Sequence, residues 1–166
     1  MPQPNLRPTL LLCAATLMAL SAPAENLIRN ASFEERKPDG MPVIWKVNRK
    51  ETAQGVTHKL DDADAINGRY SGTIANTNPG NGVESHLAWI QDIDCSKLTD
   101  YPAGTEMLLS FDFNADAPGT SIRAYVEGRA VGQGFSFMGP AASRYVGWGK
   151  YQLRFKMPQE KPDMMY

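Results

Sequence analysis

The side chains best suited to catalysis are few in this sequence and poorly spaced for it. The two histidines, His58 and His86, fall in no zinc-ligand spacing, and no Gly-x-Ser-x-Gly elbow is present to raise a nucleophile. Cys95 follows Asp94 at the end of a strand-like run, where a lone cysteine reads as a small buried residue before it reads as a nucleophile. Carboxylate pairs for glycoside hydrolysis are set by distance in the fold, and nothing in the spacing marks one. The acidic run Asp61-Asp62-Ala63-Asp64, ahead of Asn67-Gly68, invites comparison with a calcium loop. It fails that pattern, with Ile66 where an oxygen ligand belongs and Thr73 at the position of the closing glutamate. A solvated loop, or a loop lending oxygens to a different calcium site, are the two readings left. No enzyme is expected.

A second pattern suits binding better. Successive side chains leave a strand on opposite sides, so Arg123, Tyr125 and Glu127 share one face while Ile122, Ala124 and Val126 share the other. The first of these faces sets an aromatic ring between two charges. By the same parity Trp89 and Gln91 lie on one face of a neighbouring run.

The elements that would position these residues are short strands. Beyond residue 25 no stretch keeps a helical apolar period for the roughly 11 residues a convincing helix needs. Strand-like runs occur at 43–47, 70–75, 86–93, 107–115, 121–127 and 151–157. Turn clusters separate them, among them Pro38-Asp39-Gly40, Asn78-Pro79-Gly80, Pro102-Ala103-Gly104 and Ala117-Pro118-Gly119. Short strands spaced by Gly, Pro and Asn describe an all-β sandwich or barrel. Leu109, Phe111 and Phe113 form a core face, opposite Ser110, Asp112 and Asn114, which either face solvent or line a cleft. No internal repeat or low-complexity linker divides residues 25–166, which read as one domain.

Residues 1–24 read as a signal peptide, cleaved before Glu25. Arg7 precedes an uncharged apolar run at 10–20 that ends in Ala22-Pro23-Ala24. That run is shorter than the roughly 20 residues a membrane span needs. A lipid anchor through Cys13 is disfavoured by Leu12, which stands where a small residue would be required. Cleavage leaves Cys95 without an intrachain disulfide partner, so the expected periplasmic or secreted domain rests on packing and on any metal it holds. Seventeen Lys and Arg face eighteen Asp and Glu, a balance that offers no footprint for nucleic acid or an anionic membrane. Uncharged polymers stay open as partners.

One ordered set of residues resembles a known family. It begins with Asn26-Leu27-Ile28-Arg29-Asn30-Ala31-Ser32-Phe33-Glu34 and continues through Trp45 to Ile66-Asn67-Gly68-Arg69-Tyr70-Ser71-Gly72. It goes on with Trp89-Ile90-Gln91-Asp92-Ile93, Tyr101-Pro102-Ala103-Gly104-Thr105 and Gly147-Trp148-Gly149-Lys150-Tyr151. The set resembles carbohydrate-binding modules of the family 4, 9 and 22 type, also called CenC-like. The resemblance implies a galactose-binding-like jelly roll of two antiparallel sheets, without catalysis, that holds a polysaccharide such as xylan or a β-glucan. It also implies a structural calcium, for which Glu34 is the surviving carboxylate. Trp45 and Trp148 match positions that look structural. The family closes with a further strand carrying an Asp, and Met164-Met165-Tyr166 stand where that strand should begin, so the last strand is expected to be missing.

A sugar ring has an apolar C–H face and a hydroxyl rim, so a cleft for it needs aromatic platforms beside fixed donors and acceptors. If the two polar-aromatic faces join on one concave sheet, Trp89 and Tyr125 stack while Gln91, Arg123 and Glu127 bind hydroxyls. Each neutral hydrogen bond would add about 1 kcal/mol net. In the competing reading Leu87, Trp89 and Ile93 make a core face and Trp89 is packing. The rival functions are an amino-terminal fragment of a secreted glycoside hydrolase and an envelope protein that uses the sandwich for protein contacts.

Overall fold

A computed structural model describes residues 25–47, 55–77, 88–115, 120–144 and 147–166. The expected signal peptide, with Cys13, lies outside the described residues, as do His86 and Leu87 of one expected strand and the turns at 78–80 and 117–119.

The described chain is built of antiparallel strands. These are β1 (Trp45–Val47), β2 (Val56–Asp61), β3 (Ser71–Asn76), β4 (Trp89–Gln91), β5 (Glu106–Phe113), β6 (Tyr125–Ala130), β7 (Gln133–Met138), β8 (Gly149–Lys156) and β9 (Met164–Met165). A 3₁₀ helix, Cys95–Asp100, follows β4. Asp94 starts it by accepting from the Ser96 N–H at 3.1 Å and the Ser96 hydroxyl at 2.6 Å. Those bonds, the hydroxyl's first, hold the Asp94 carboxyl below its ordinary range.

Strands β5 and β8 pair over eight residues, and their inward side chains alternate as the sequence indicates. Phe111 lies opposite Tyr151 with the rings stacked at 5.0 Å, and Leu109 lies opposite Leu153. Against this layer lie the inward residues of β6, β7 and β9. The shared core holds Phe113, Tyr151 and Leu153 from one side and Ala124, Val126 and Met165 from the other, with Leu98 beneath. Phe137 of β7 reaches Phe155 of β8 at 5.2 Å between ring centroids. The expectation of an all-β fold with face-to-face antiparallel sheets is met.

The short last strand ties two sheets together. Met165 pairs with Gly128 of β6 and forms an antiparallel bridge with Ile93, just past β4. The β1-β4 and β7-β6-β9 sheets thus meet at this one bridge, and a strand of two residues starts at Met164, where the closing strand was expected to begin. Gly128 is required there. A Cβ on it would lie 2.1 Å from the Met164 carbonyl oxygen and 2.6 Å from Phe135 Cζ.

A second aromatic group fills the space between β1-β4 and β2-β3. Phe33 sits 5.0 Å from Trp45 and 5.8 Å from Trp89, and His58 of β2 meets Trp89 edge-on at 5.3 Å. Asn30 shapes the approach to this group. Its amide donates to the carbonyls of Glu35 and Val43, its oxygen accepts from the Glu35 N–H, and its own carbonyl receives the Trp45 indole N–H at 3.0 Å.

Candidate functional site

The alternation of β6 sends Arg123, Tyr125, Glu127 and Arg129 away from the core, since Ala124, Val126 and Ala130 are buried. Register brings the neighbours. On β7, Met138 lies opposite Tyr125 and Ser136 opposite Glu127. On the other side Met164 lies opposite Arg129, while Tyr166 and Glu127 exchange both backbone hydrogen bonds at 2.8 Å. Directly opposed residues share a face, so Tyr125 and Tyr166 are diagonal neighbours, about 7 Å apart along that surface.

This outer face combines apolar surface with polar groups. Tyr125 is 45% exposed, Tyr166 38%, Met138 57% and Met164 41%. The Ser136 hydroxyl donates to Glu127 Oε1 at 3.2 Å, which fixes the carboxylate. The Arg123 guanidinium contacts Met138 Sδ at 3.4 Å. Two phenol rings thus flank a carboxylate held in place, with guanidinium groups at the margin.

The structure brings together Arg123, Tyr125 and Glu127, and it does not bring Trp89 or Gln91 to them. Met165 stands opposite Ile93 on one side and Gly128 on the other, so these three point the same way. By alternation Trp89 and Gln91 then share the inward face with Val126, and Tyr125 and Glu127 occupy the opposite one. Burial agrees, with Gln91 at 5% exposure and Val126 at 7%. Gln91 instead holds the chain near the amino terminus. Its amide accepts from the Arg29 N–H and donates to the Arg29 carbonyl, both at 2.8 Å. Trp89 packs on Phe33 and His58, and its buried indole N–H has no partner among the described residues.

Tyr166, Met138, Met164, Ser136 and Arg129 are the members that sequence reading did not select. Phe135-Ser136-Phe137-Met138 alternates visibly and could have located β7. Two residues of β9 carry no periodicity at all.

Glu34 lies at the turn the resemblance indicates. Its Oε1 accepts from the N–H groups of Arg69 at 2.7 Å and Tyr70 at 3.2 Å, and Gly68 lies against it, leaving no room for a Cβ. Among the described residues no three His, Cys, Asp or Glu side chains converge. Glu34 supplies one carboxylate toward the six to eight oxygens that calcium takes, and its Oε1 already serves two N–H donors. The acidic run is engaged as well: Asp64 accepts from the Trp148 indole at 2.9 Å and from Asn114 at 3.3 Å, while Asp61 caps the Ala63 N–H.

An open cleft of about 520 Å³ lies beside Tyr70, lined by Arg36, Met41, His58, Lys59, Asp62 and Arg69. Arg36 and Arg69 stand 4.4 and 5.2 Å from the Tyr70 ring centroid. Lys59 pairs with Asp61 and Arg69 with Asp62, so the cleft presents mixed charge.

Cys95 is half-buried, and burial pushes its thiol above the ordinary range, which opposes thiolate chemistry. No match to this chain was found among protein-family models, curated proteins or solved structures.

Proposed function

We propose that this chain is an exported, non-catalytic jelly-roll module of the carbohydrate-binding type, and that it holds a neutral polysaccharide on the outer face of β6, β7 and β9. The observation that carries this reading is the placement of Tyr125, two residues along β6 from Glu127, and of Tyr166, directly across from Glu127, on one outward sheet face. Phenol rings offer flat apolar platforms to the C–H faces of sugars, and a carboxylate fixed by Ser136 offers an acceptor to a hydroxyl. Arg123 supplies donors at the margin. Export rests on residues 1–24 of the sequence alone. A calcium ion at Glu34 belongs to the same reading and rests on that one carboxylate. Its test is a calcium-dependent rise in melting temperature that Glu34→Gln removes.

Affinity electrophoresis of residues 25–166 through gels containing xylan, β-glucan or mannan tests the glycan reading. Retardation by at least one of them, lost in a Tyr125→Ala, Tyr166→Ala double variant that still folds, is the expected result. A folded protein that no glycan retards would sink it. The exposed thioethers of Met138 and Met164 beside the tyrosines favour a second reading, a protein-contact surface of an envelope protein. Capture of a protein partner by this face, with no glycan retardation, would move the assignment there.

A further inference from the structure

The cleft beside Tyr70 is bordered by two segments whose backbones are pinned. Arg36 bridges to Pro42 across a tight hairpin, closed by the Lys37 N–H on the Met41 carbonyl and the Val43 N–H on the Glu35 carbonyl, both at 2.8 Å. The N–H groups of Arg69 and Tyr70 both donate to the Glu34 carboxylate. Both guanidinium groups lie against the Tyr70 ring, which is 9% exposed, so cation–π attraction helps to hold them where the backbone places them.

Contact with a ring leaves the N–H donors of a guanidinium available for a planar anion. Among the described residues the Arg36 guanidinium donates no hydrogen bond and meets no carboxylate. Arg69 reaches Asp62 at 3.8 Å, which is longer than a hydrogen bond. Two forks of donors, close to one ring and therefore to each other, thus border the cleft with their hydrogen bonds unspent. Such preorganised donors lose little freedom when a ligand arrives.

We propose that this cleft binds a uronic acid, its carboxylate on Arg36 and Arg69 and its hydroxyl groups on Asp39 and Asp62. The charge of the lining selects the anion. Arg36, Lys59 and Arg69 face Asp39 and Asp62, and His58, whose pKa burial lowers, adds nothing near neutral pH, so one positive charge is in excess. A carboxylate balances that single charge, and its two oxygens match a guanidinium fork. A phosphate dianion overshoots it and is repelled by both aspartates. The size and polarity of the cleft select the body. Its volume of about 520 Å³ leaves room beyond a carboxylate, and its lining is mostly polar, which suits a hydroxylated ring. Asp39 spends Oδ1 on the Met41 N–H and keeps Oδ2 for a hydroxyl. These residues are separate from those of the outer face of β6, so either reading can fail without the other.

The test is an NMR titration of the purified protein with methyl glucuronide, against methyl glucoside, acetate and inorganic phosphate. The expected result is a saturable shift of the Arg36, Arg69 and Tyr70 amides with the glucuronide at millimolar concentration, and binding about tenfold weaker or absent with the other three. Arg36→Gln should weaken glucuronide binding about tenfold, the loss of one charge-assisted contact. Arg36→Lys, which keeps the charge and loses the fork, should weaken it several-fold. No saturable shift with the glucuronide up to about 20 mM overturns the proposal. Equal binding of the glucoside overturns it, because the charge is then not read. Equal binding of acetate or phosphate overturns it as well, because the sugar ring is then not read. Unchanged glucuronide binding by both Arg36 variants would also defeat it.

Discussion

Glu127 and Tyr166 are joined by a reciprocal pair of backbone hydrogen bonds, each 2.8 Å, so the last residue of the described chain helps to form the outer face of β6. The pairing depends on Gly128 next door, whose missing side chain admits the Met164 carbonyl. Gly128→Ala should therefore lower stability by about 1–3 kcal/mol through overpacking and displace β9. Gly134→Ala, on the facing strand, meets no atom closer than 3.9 Å and should be nearly neutral. Urea midpoints of the two variants check this, and equal midpoints would refute this seating of β9.

On the proposed reading, the two faces of the sheet separate binding from stability. Tyr125→Ala removes an exposed ring and should weaken glycan retention by about tenfold while leaving stability within about 0.5 kcal/mol. Gln91→Ala strands the Arg29 N–H and carbonyl that its amide satisfies, and should cost about 1–3 kcal/mol. Glycan retention by that variant, measured below its melting temperature, should match the parent protein. A Gln91→Ala protein of normal stability that loses the glycan would place the site on the inner side.

Much of the fold was legible because side-chain alternation is a local property. Leu109-Ser110-Phe111-Asp112-Phe113 and Ile122-Arg123-Ala124-Tyr125-Val126 announce both their strands and their buried faces. Strand β2 stayed hidden because Thr57, His58, Lys59 and Asp61 give it a polar composition, and its contact with Trp89 is long-range. Strand β7 was masked by the turn and glycine signals of Val131-Gly132-Gln133-Gly134. The face of β4 was the instructive case. Parity groups Trp89 with Gln91, but which group faces inward depends on register, and register is fixed by the pairing of Ile93 with Met165, far away in sequence.

The turn between β6 and β7 contains a correctable strain. Val131 and Gly132 both have positive φ, 50° and 77°, which makes the two-residue primed turn that suits a twisted hairpin. Glycine accepts that geometry readily, but a β-branched residue in the left-handed region loses about 1–2 kcal/mol. Val131 is 74% exposed and has little packing to lose. Val131→Asn should therefore raise stability by about 1 kcal/mol, the asparagine-glycine pair being the favoured one here. Thermal melts of the two proteins measure the gain, and a fall in midpoint would contradict this turn geometry.

Acid should loosen the space between β2 and β4 through His58. Burial removes water from the ring and holds its pKa below the ordinary value, with the Ala88 backbone opposing in part. Among the described residues neither buried ring nitrogen makes a well-formed hydrogen bond, nor does the neighbouring Trp89 indole N–H. A histidine depressed in the folded state takes up its proton more readily when unfolded, so its share of stability is complete above about pH 7. That share is lost as pH falls through about 6.5 toward the lower folded value. His58→Leu should flatten this part of the profile, and at about pH 7.5 it should match or exceed the parent protein, because two orphaned nitrogens disappear from the interior. Urea midpoints of both proteins between about pH 5.5 and 7.5 provide the measurement. A parent midpoint that holds constant, or a variant that keeps the full acid-induced drop, would remove His58 as its source.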